Sequence, residues 1–339
     1  MFEASLMSRI EALKHVFLSP GSSFSLTSLF SAGLFCIGFF VWRRLSRGRG
    51  VTLRGFGRLA FPARLLLHPS SRADAILFVL QTMVFGALLG WAYVSQPWIA
   101  ERVTGAMISL FGEAGPASVD PAVAAALITL ASFLAYEFAY WLFHWAAHTH
   151  PLLWEFHKIH HTAEVLTPLT VWRVHPVEQV IFINTLAVIV GACDGLGRYY
   201  LGGGAQIYAL SGVNILLVFF VYTFVHLQHS QAWIAFTGVW GRILLSPAHH
   251  QVHHSVDPRH HNRNMGSCLA IFDWLFGTLY VPAREREVRK FGLGDEVKAP
   301  HDTVAALFDP IYRTADYILR TRADKPITTV AQRPAEAGH

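Results

Sequence analysis

Residues 140–161 read YWLFHWAAHTHPLLWEFHKIHH, and this stretch joins the end of an apolar segment to six histidines. His144 and His148 are four residues apart, which places their side chains on one face of a helix. A second group follows with the pattern H-x-x-H-H and consists of His157, His160 and His161. Imidazoles grouped in this way are suited to binding a transition-metal ion. The stretch therefore predicts a metal site at the end of a helix.

A third histidine group lies roughly ninety residues further on, in the sequence PAHHQVHH at residues 247–254. It repeats the H-x-x-H-H spacing with His250, His253 and His254. A single histidine is usually an ordinary polar side chain, but that explanation does not account for three groups with matching spacings. The eight imidazoles are enough for two first-row metal ions and suit iron, zinc, copper or nickel. A site for a hard ion such as Ca²⁺ would require carboxylates instead.

The composition predicts a membrane protein. Of the 339 residues, 53% are hydrophobic and only 14% are charged, which is too apolar for ordinary soluble domains. Apolar segments of about twenty residues cross a bilayer as helices. We interpret three segments as membrane spans, and two further segments as full spans or as a hairpin that enters the membrane and returns. The three spans are residues 26–42, 75–94 and 121–143, and the two further segments are 177–192 and 207–225.

Much of the positive charge lies between the first two spans. Eight arginines follow one another there before the first acidic residue, Asp74; they are Arg43, Arg44, Arg47, Arg49, Arg54, Arg58, Arg64 and Arg72. Under the positive-inside rule this loop is cytoplasmic, so the net charge of +5 does not indicate a nucleic acid partner. If this loop is cytoplasmic, the following spans cross the membrane in alternating directions. All three histidine groups are then placed at the cytoplasmic face.

We therefore predict an all-α fold, a multi-pass transmembrane helical bundle with a histidine-rich di-metal helical cap on its cytoplasmic face. Four parts follow from this: an interfacial amphipathic helix at 1–23, an N-terminal transmembrane region with the Arg-rich loop at 24–120, a catalytic domain at 121–283 and a soluble tail at 284–339. A disulfide framework or an iron–sulfur cluster is not expected, because no C-x-x-C pair occurs among the three cysteines, Cys36, Cys193 and Cys268.

Residues outside the three groups are expected to support the site. His226 ends the fifth apolar segment on the same side, and we expect it to be a ninth ligand, with His229 as a weaker candidate. Glu137 lies two helical turns before His144 within the third span, where an isolated carboxyl is costly. We expect it to accept a hydrogen bond from a ligating imidazole, the alternative being protonation or pairing elsewhere in the bundle. Supporting positions are also assigned to His175, His249 and Asp273, with a helix or turn cap as the alternative for Asp273.

Together these motifs resemble the fatty acid hydroxylase superfamily, also called the sterol desaturase family. The resemblance covers residues 137–282 and rests on Tyr140-Trp141, the three histidine groups, Arg173 with His175-Pro176 and Glu178, Asn264 with Gly266, and Asp273 with Phe276-Gly277-Thr278. It implies a membrane enzyme with two iron ions and with dioxygen as co-substrate. The ligands that it implies are the eight histidines of the three groups, with His226 at the family's intermediate histidine and Asn264 beside the site.

The activity that the resemblance implies is hydroxylation of a C–H bond in a fatty acyl chain, a sterol or a lipid head group. Desaturation on the same scaffold is an alternative, and a membrane protein that binds or transports metal is an alternative of another class. The sequence has neither a His-Pro-Gly-Gly cytochrome signature nor a dinucleotide-binding glycine motif in a βαβ pattern. Electrons are therefore expected from a separate ferredoxin, cytochrome or flavin reductase. The expected location is the inner membrane of a bacterium.

Overall fold

The computed structural model describes residues 11, 13–22, 24–52, 63–113, 119–202, 206–294, 297 and 299–322. In these ranges the regular structure is helical apart from one antiparallel hairpin, in which β1 (Ala209–Leu210) pairs with β2 (Val213–Asn214). The all-α prediction is confirmed.

The helices carry the following labels and bounds. The α-helices are α1 (Leu26–Leu45), α2 (Ala63–Leu66), α3 (Pro69–Leu80), α4 (Gly86–Leu89), α5 (Gln96–Phe111), α6 (Pro121–Thr149), α7 (Pro151–His161), α8 (Pro176–Leu201), α9 (Ile215–Phe220), α10 (His226–Gln228), α11 (Trp240–Ile243), α12 (Pro247–His253), α13 (Ile271–Phe276) and α14 (Thr303–Arg322). The π-helical turns Gln81–Phe85 and Val221–Val225 join α3 to α4 and α9 to α10. Short 3₁₀ turns occur at Gly90–Ala92, Pro168–Trp172 and Pro258–His260.

Four segments are long and apolar enough to cross a membrane, namely Leu26–Leu45, Pro69–Phe111, Pro121–Thr149 and Pro176–Leu201. They contain most of the first four predicted apolar segments and indicate a multi-pass membrane protein. The fifth apolar helix, Ile215–Gln228, is shorter. Two full spans and a hairpin that enters and returns were the alternatives for the last pair of segments. In the structure the first of these two segments is a long helix, Pro176–Leu201, and the second is the shorter helix Ile215–Gln228. Both alternatives stay predictions.

Helix α5 lies between the second and third predicted apolar segments. It continues the second candidate span and packs along α8. This contact needs glycine, because a Cβ atom on Gly191 or Gly195 would lie 2.7 Å from the carbonyl oxygen of Gln96 or 2.6 Å from that of Ala100. Membrane helices commonly associate through small residues in this way. Hydropathy alone does not reveal such a contact.

Prolines set the bend between the two helices that carry the first histidine groups. Asp120 caps α6 by accepting the backbone N–H of Ala122 at 2.8 Å. Helix α6 ends at Thr149, and the next residue, His150, is extended because a residue before proline avoids the helical conformation. Pro151 then begins α7. This break of one residue turns α7 back against α6, so that the histidines of the two helices face each other.

The segments that follow the spans form a cap at the histidine end of the bundle. Its buried core consists of Ala163, Leu166, Trp233, Ala248, Val252, Val288 and Phe291. Val288 and Phe291 lie in the segment expected to be a soluble tail, and α14 packs against α7. Part of the segment after residue 284 therefore packs against the cap. Most of the amphipathic helix predicted at 1–23 lies outside the described residues.

The start of the Arg-rich loop lies at the same end of the molecule as the cap. Arg43 and Arg47 both pair with Glu285 of the cap, at 3.2 Å and 2.5 Å. The first arginines of the loop therefore contact the cap.

Candidate metal centre

Nine histidines form two neighbouring clusters beneath the cap. Cluster A consists of His144, His148, His157, His161 and His253, and cluster B consists of His160, His229, His250 and His254. Within each cluster, one ring nitrogen per histidine lies within 4.8 Å of the others. The clusters touch, since the ring centroids of His161 and His254 are 4.7 Å apart. All eight histidines of the three sequence groups are therefore brought together.

The two H-x-x-H-H groups divide between the clusters in opposite ways. On α7, His157 and His161 are one helical turn apart and enter cluster A, while His160 points to cluster B. On α12 and its C-cap, His250 and His254 enter cluster B, while His253 points to cluster A. Each helix therefore contributes to both clusters. The H-x-x-H-H spacing therefore links the two clusters.

The distances between ring nitrogens fit a shared ion in each cluster. In cluster A, His161 Nε2 lies 3.1 Å from His148 Nε2 and 3.2 Å from His157 Nε2. In cluster B, His250 Nε2 lies 2.9 Å from His229 Nε2 and 3.1 Å from His254 Nε2. Two nitrogens bound to one metal at about 2.1 Å and at right angles are separated by roughly 3 Å. The clusters already have the spacing of such ligands.

The outer nitrogens of three rings are fixed by acceptors. His144 Nδ1 donates to the carbonyl oxygen of Met265 at 2.8 Å, and His253 Nδ1 donates to that of Arg263 at 2.8 Å. His157 Nδ1 donates to Glu178 Oε1 at 2.5 Å. A neutral imidazole has one N–H, so the Nε2 lone pairs of these rings face the centre of cluster A.

A cation would satisfy these inward lone pairs. His253 Nε2 is buried and has no hydrogen-bond partner among the described residues. Buried polar atoms are normally paired, and several lone pairs that converge on one point repel one another unless a cation lies between them. The residues therefore fit a metal ion, and the all-imidazole ligand set fits a transition metal.

Burial also keeps the imidazoles neutral. It lowers the pKa of His229 and of His253 to about 3. Burial, followed by repulsion from neighbouring imidazoles, lowers the pKa well below its ordinary value for His160, His161, His250 and His254. Near neutral pH these histidines are therefore in the form that binds a metal.

The structure does not bring His226 into either cluster. Its Nε2 lies 2.9 Å from the hydroxyl oxygen of Ser28. The ninth clustered histidine is His229, the weaker of the two candidates in the sequence. The π-helical turn at Val221–Val225 changes the phase of the helix, and His229 then leaves it with φ −94° and ψ 61°. These two local changes turn the ring of His229 toward His250 and away from the direction of His226.

Glu137 and Asp273, two of the buried carboxylates, accept backbone N–H groups from one loop. Glu137 accepts the backbone N–H groups of Cys268 and Leu269 at 2.9 Å and 2.7 Å, so the expected bond to a ligating histidine is not formed. Asp273 accepts those of Met265 and Gly266 at 2.7 Å and 2.9 Å, which is the turn cap considered as its alternative. Together they hold the loop whose Met265 carbonyl fixes His144.

The other expected supporting residues lie further from the clusters. His175 caps α8 by accepting the N–H of Val177 at 3.1 Å. His249 donates from Nε2 to the carbonyl oxygen of Gly241 at 2.9 Å. Asn264 donates to the carbonyl oxygens of His249 and Tyr280, both at 3.0 Å. Each of the three stabilises the backbone around the histidine helices, and within the described ranges none of them belongs to either cluster.

A buried ion pair that the sequence did not reveal braces α7. Arg173 donates to the carboxylate of Asp74 at 2.6 Å, and both side chains are almost fully buried. The same guanidinium donates to the hydroxyl of Thr162, the C-cap residue of α7, at 2.9 Å. Asp74 thereby connects the second candidate span to the helix that carries His157, His160 and His161. In the sequence Asp74 was only the residue that ends the arginine run.

Cluster A borders a small cavity of about 110 Å³. Its lining includes His148, Trp154, His161 and His253 together with residues 292–294. Cluster A is therefore accessible to small molecules through this cavity.

Comparison with known proteins identifies the domain that holds the clusters. Residues 129–278 match the family described as fatty acid hydroxylase. The ornithine lipid hydroxylase OlsE of Rhizobium tropici is 31% identical over 148 residues, which cover 44% of this chain and 40% of that protein. Alkylglycerol monooxygenase of Danio rerio is 27% identical over 161 residues, covering 46% of this chain and 31% of that protein.

A third relative, the human alkylglycerol monooxygenase, is 30% identical over 152 residues, covering 43% of this chain and 29% of that protein. The matches with these relatives span less than half of their length. No solved structure matches the chain. The matched region begins within α6 and ends just after α13, so it contains all nine clustered histidines. This region is therefore similar to the fatty acid hydroxylase family, in agreement with the resemblance seen in the sequence.

Proposed function

We propose that this protein is a membrane-bound, di-iron lipid hydroxylase that uses dioxygen to place one oxygen atom in a C–H bond of a lipid. The observation that carries the proposal is the pair of adjoining histidine clusters within the matched domain. Two relatives are named as a hydroxylase and a monooxygenase, which favours hydroxylation over desaturation. Their names refer to ornithine lipid and alkylglycerol, so the proposed substrate is a membrane lipid.

Cluster A would hold one iron ion and cluster B the other. Imidazole nitrogen is a suitable ligand for iron. A metal-bound histidine usually donates a hydrogen bond from its other ring nitrogen, and such an acceptor is present for His144, His157 and His253. When bound, the iron pair would supply the redox chemistry by which R–H, dioxygen, two electrons and two protons give R–OH and water.

The chain's own part is to orient the imidazoles and to limit access by water. Eight of the nine clustered histidines are buried, and His148 is partly exposed. The cavity beside cluster A, of about 110 Å³, can admit dioxygen. In this proposal the lipid reaches the clusters from the membrane side, along the histidine end of α6.

Electrons come from a separate donor in this proposal, such as a ferredoxin, a cytochrome or a flavin reductase. The cap faces the cytoplasm, because Arg43 and Arg47 lie beside it and positively charged loops remain on the cytoplasmic side. The proposed location is the inner membrane of a bacterium, and one of the relatives above is bacterial.

Lipid mass spectrometry of cells with and without the protein tests the proposed reaction. A lipid that gains one oxygen atom only in cells with the intact protein is the expected result. A lipid that loses two hydrogens would show a desaturase. An unchanged lipidome with a fully loaded, reducible metal centre would contradict lipid oxidation.

Metal analysis of the purified protein tests the cofactor separately. We expect close to two iron ions per chain, and a lower content in the His160→Ala variant, which removes a member of cluster B, with membrane insertion unchanged. Variable or zinc-only content without oxygen consumption would favour the alternative of a protein that stores or transports metal.

A further inference from the structure

Helix α14 carries an exposed apolar face. Five large apolar side chains between Thr303 and Leu319 are exposed by 47% or more: Val304 at 64%, Phe308 at 52%, Ile311 at 47%, Tyr312 at 69% and Leu319 at 65%. They recur at helical intervals and so form one stripe along the helix. Apolar stripes of this length are unusual on a surface that faces only water.

The other sides of α14 differ in character. Pro310 is buried on the side that packs toward the protein, where α14 contacts α7. The charged residues Asp309, Arg313, Asp316 and Arg320 lie on a separate flank, between the apolar stripe and the side that packs on the protein. Arg320 pairs with Asp316 at 2.8 Å along this flank. An apolar stripe and a charged flank on one helix are the features of a helix that lies in a membrane surface.

The start of α14 is attached to the ends of two candidate spans. His175, the N-cap of α8, donates from Nε2 to the carbonyl oxygen of Leu307 at 3.0 Å. His68, the N-cap of α3, has its ring 5.8 Å from that of His301, two residues before α14. The first turns of α14 therefore lie at the level where two apolar helices begin. Leu66 and Leu67, directly before His68, are exposed by 54% and 76%, so the apolar surface continues toward α3.

We propose that α14 lies in the plane of the bilayer surface, with the stripe from Val304 to Leu319 inserted among the lipids. The charges on its flank balance, with Asp309 and Asp316 against Arg313 and Arg320. Insertion is therefore driven by the apolar stripe and does not require anionic lipid. Because α14 packs on α7, it holds the helix of His157, His160 and His161 at a fixed depth relative to the membrane. The inference concerns the membrane contact and does not depend on the proposed reaction.

The test uses the full chain in vesicles with one fluorescent label on α14. Cys36→Ser and Cys193→Ser remove the two partly exposed cysteines, while Cys268 is buried and is retained. A cysteine then replaces Phe308 or Leu319 on the apolar stripe, or Arg313 or Arg320 on the charged flank as the matched control. Each variant carries a polarity-sensitive fluorophore and is reconstituted in phosphatidylcholine vesicles, with and without phosphatidylglycerol. The measurement is quenching by a nitroxide lipid and by iodide.

We expect the nitroxide lipid to quench most of the emission at 308 and 319 and iodide to quench that at 313 and 320. Phosphatidylglycerol and high salt should leave this pattern unchanged. Equal iodide quenching on both faces would overturn the proposal. Labels at 308 and 319 that neither quencher reaches would also overturn it, since a second copy or another part of the chain would then cover the stripe. A strict requirement for phosphatidylglycerol would overturn the claim that the apolar stripe drives insertion.

Discussion

His157 donates its Nδ1 hydrogen to Glu178 across 2.5 Å, and this bond connects the histidine helix α7 to the first turn of the candidate span α8. Both side chains are buried, with about one twentieth of each exposed. The carboxylate fixes the tautomer and the direction of an imidazole whose other nitrogen faces cluster A. The metal centre is thereby braced by the membrane helices themselves.

The Glu178→Ala variant should bind metal at cluster A more weakly, by roughly 10- to 100-fold, because His157 loses the acceptor that orients it. Glu178→Gln keeps an acceptor oxygen of the same size and should lose less. Metal affinity measured by competition with a chelator checks this order. Equal affinity in both variants and in the unchanged protein would show that Glu178 does not orient the ring.

Substitution of His229 and substitution of His226 by alanine should have different effects on the metal content. His229→Ala removes a member of cluster B and should lower the metal content toward one ion per chain. His226→Ala removes only the contact with Ser28 and should retain the full content. Metal analysis of the two purified variants checks the difference. Loss of metal in His226→Ala alone would restore the expectation made from the sequence.

Asp273→Asn should loosen the loop that holds His144. One oxygen that accepts the N–H of Met265 or Gly266 is replaced by an amide that cannot accept it, at a cost of about 1.5–3 kcal/mol for a buried bond to a charged group. Thermal unfolding in detergent should show a lower melting temperature, and metal retention should fall with it. Asp257→Asn is the control: it removes a partly exposed carboxylate paired with the exposed Arg259 and should leave both unchanged.

The pair of Asp74 and Arg173 should show coupled effects on stability. Removal of one partner leaves the other charge buried and costs about 3–5 kcal/mol. Asp74→Ala and Arg173→Leu should therefore each destabilise the protein strongly, whereas the double variant should lose much less than the sum of the two. Unfolding free energies of the three variants check this double-mutant cycle. Simple addition of the two losses would indicate that the residues are not coupled.

The histidine spacings and the apolar segments predicted much of the architecture. Helical periodicity is a local property, so His144 with His148, and His157 with His161, could be placed on shared faces without a structure. Length and apolarity likewise identified the candidate spans. The same periodicity did not show that His160 and His253 point to the opposite cluster from their neighbours, because that depends on how α7 and α12 face each other.

Other features depend on contacts that the sequence does not display. His229, and not His226, lies in cluster B. The π-helical turn that precedes both residues could not be recognised from the sequence around Val221. Glu137 was expected to contact an imidazole because it lies on the same face of α6 as His144. Its carboxylate instead accepts the backbone N–H of Cys268. The pairing of Asp74 with Arg173 joins residues that are far apart along the chain. Exposure of the stripe on α14 could be seen only after its packing on α7 was known.

The most direct test of the central claim is incubation of membranes with dioxygen labelled with oxygen-18, an electron-donor system and lipid substrate, followed by mass spectrometry. The proposed hydroxylase should add one oxygen-18 atom to the lipid in the intact protein and none in the His160→Ala variant. A lipid product that takes its oxygen from water, or one that forms equally in the variant, would contradict the proposal of an oxygen-dependent hydroxylase built on these histidines.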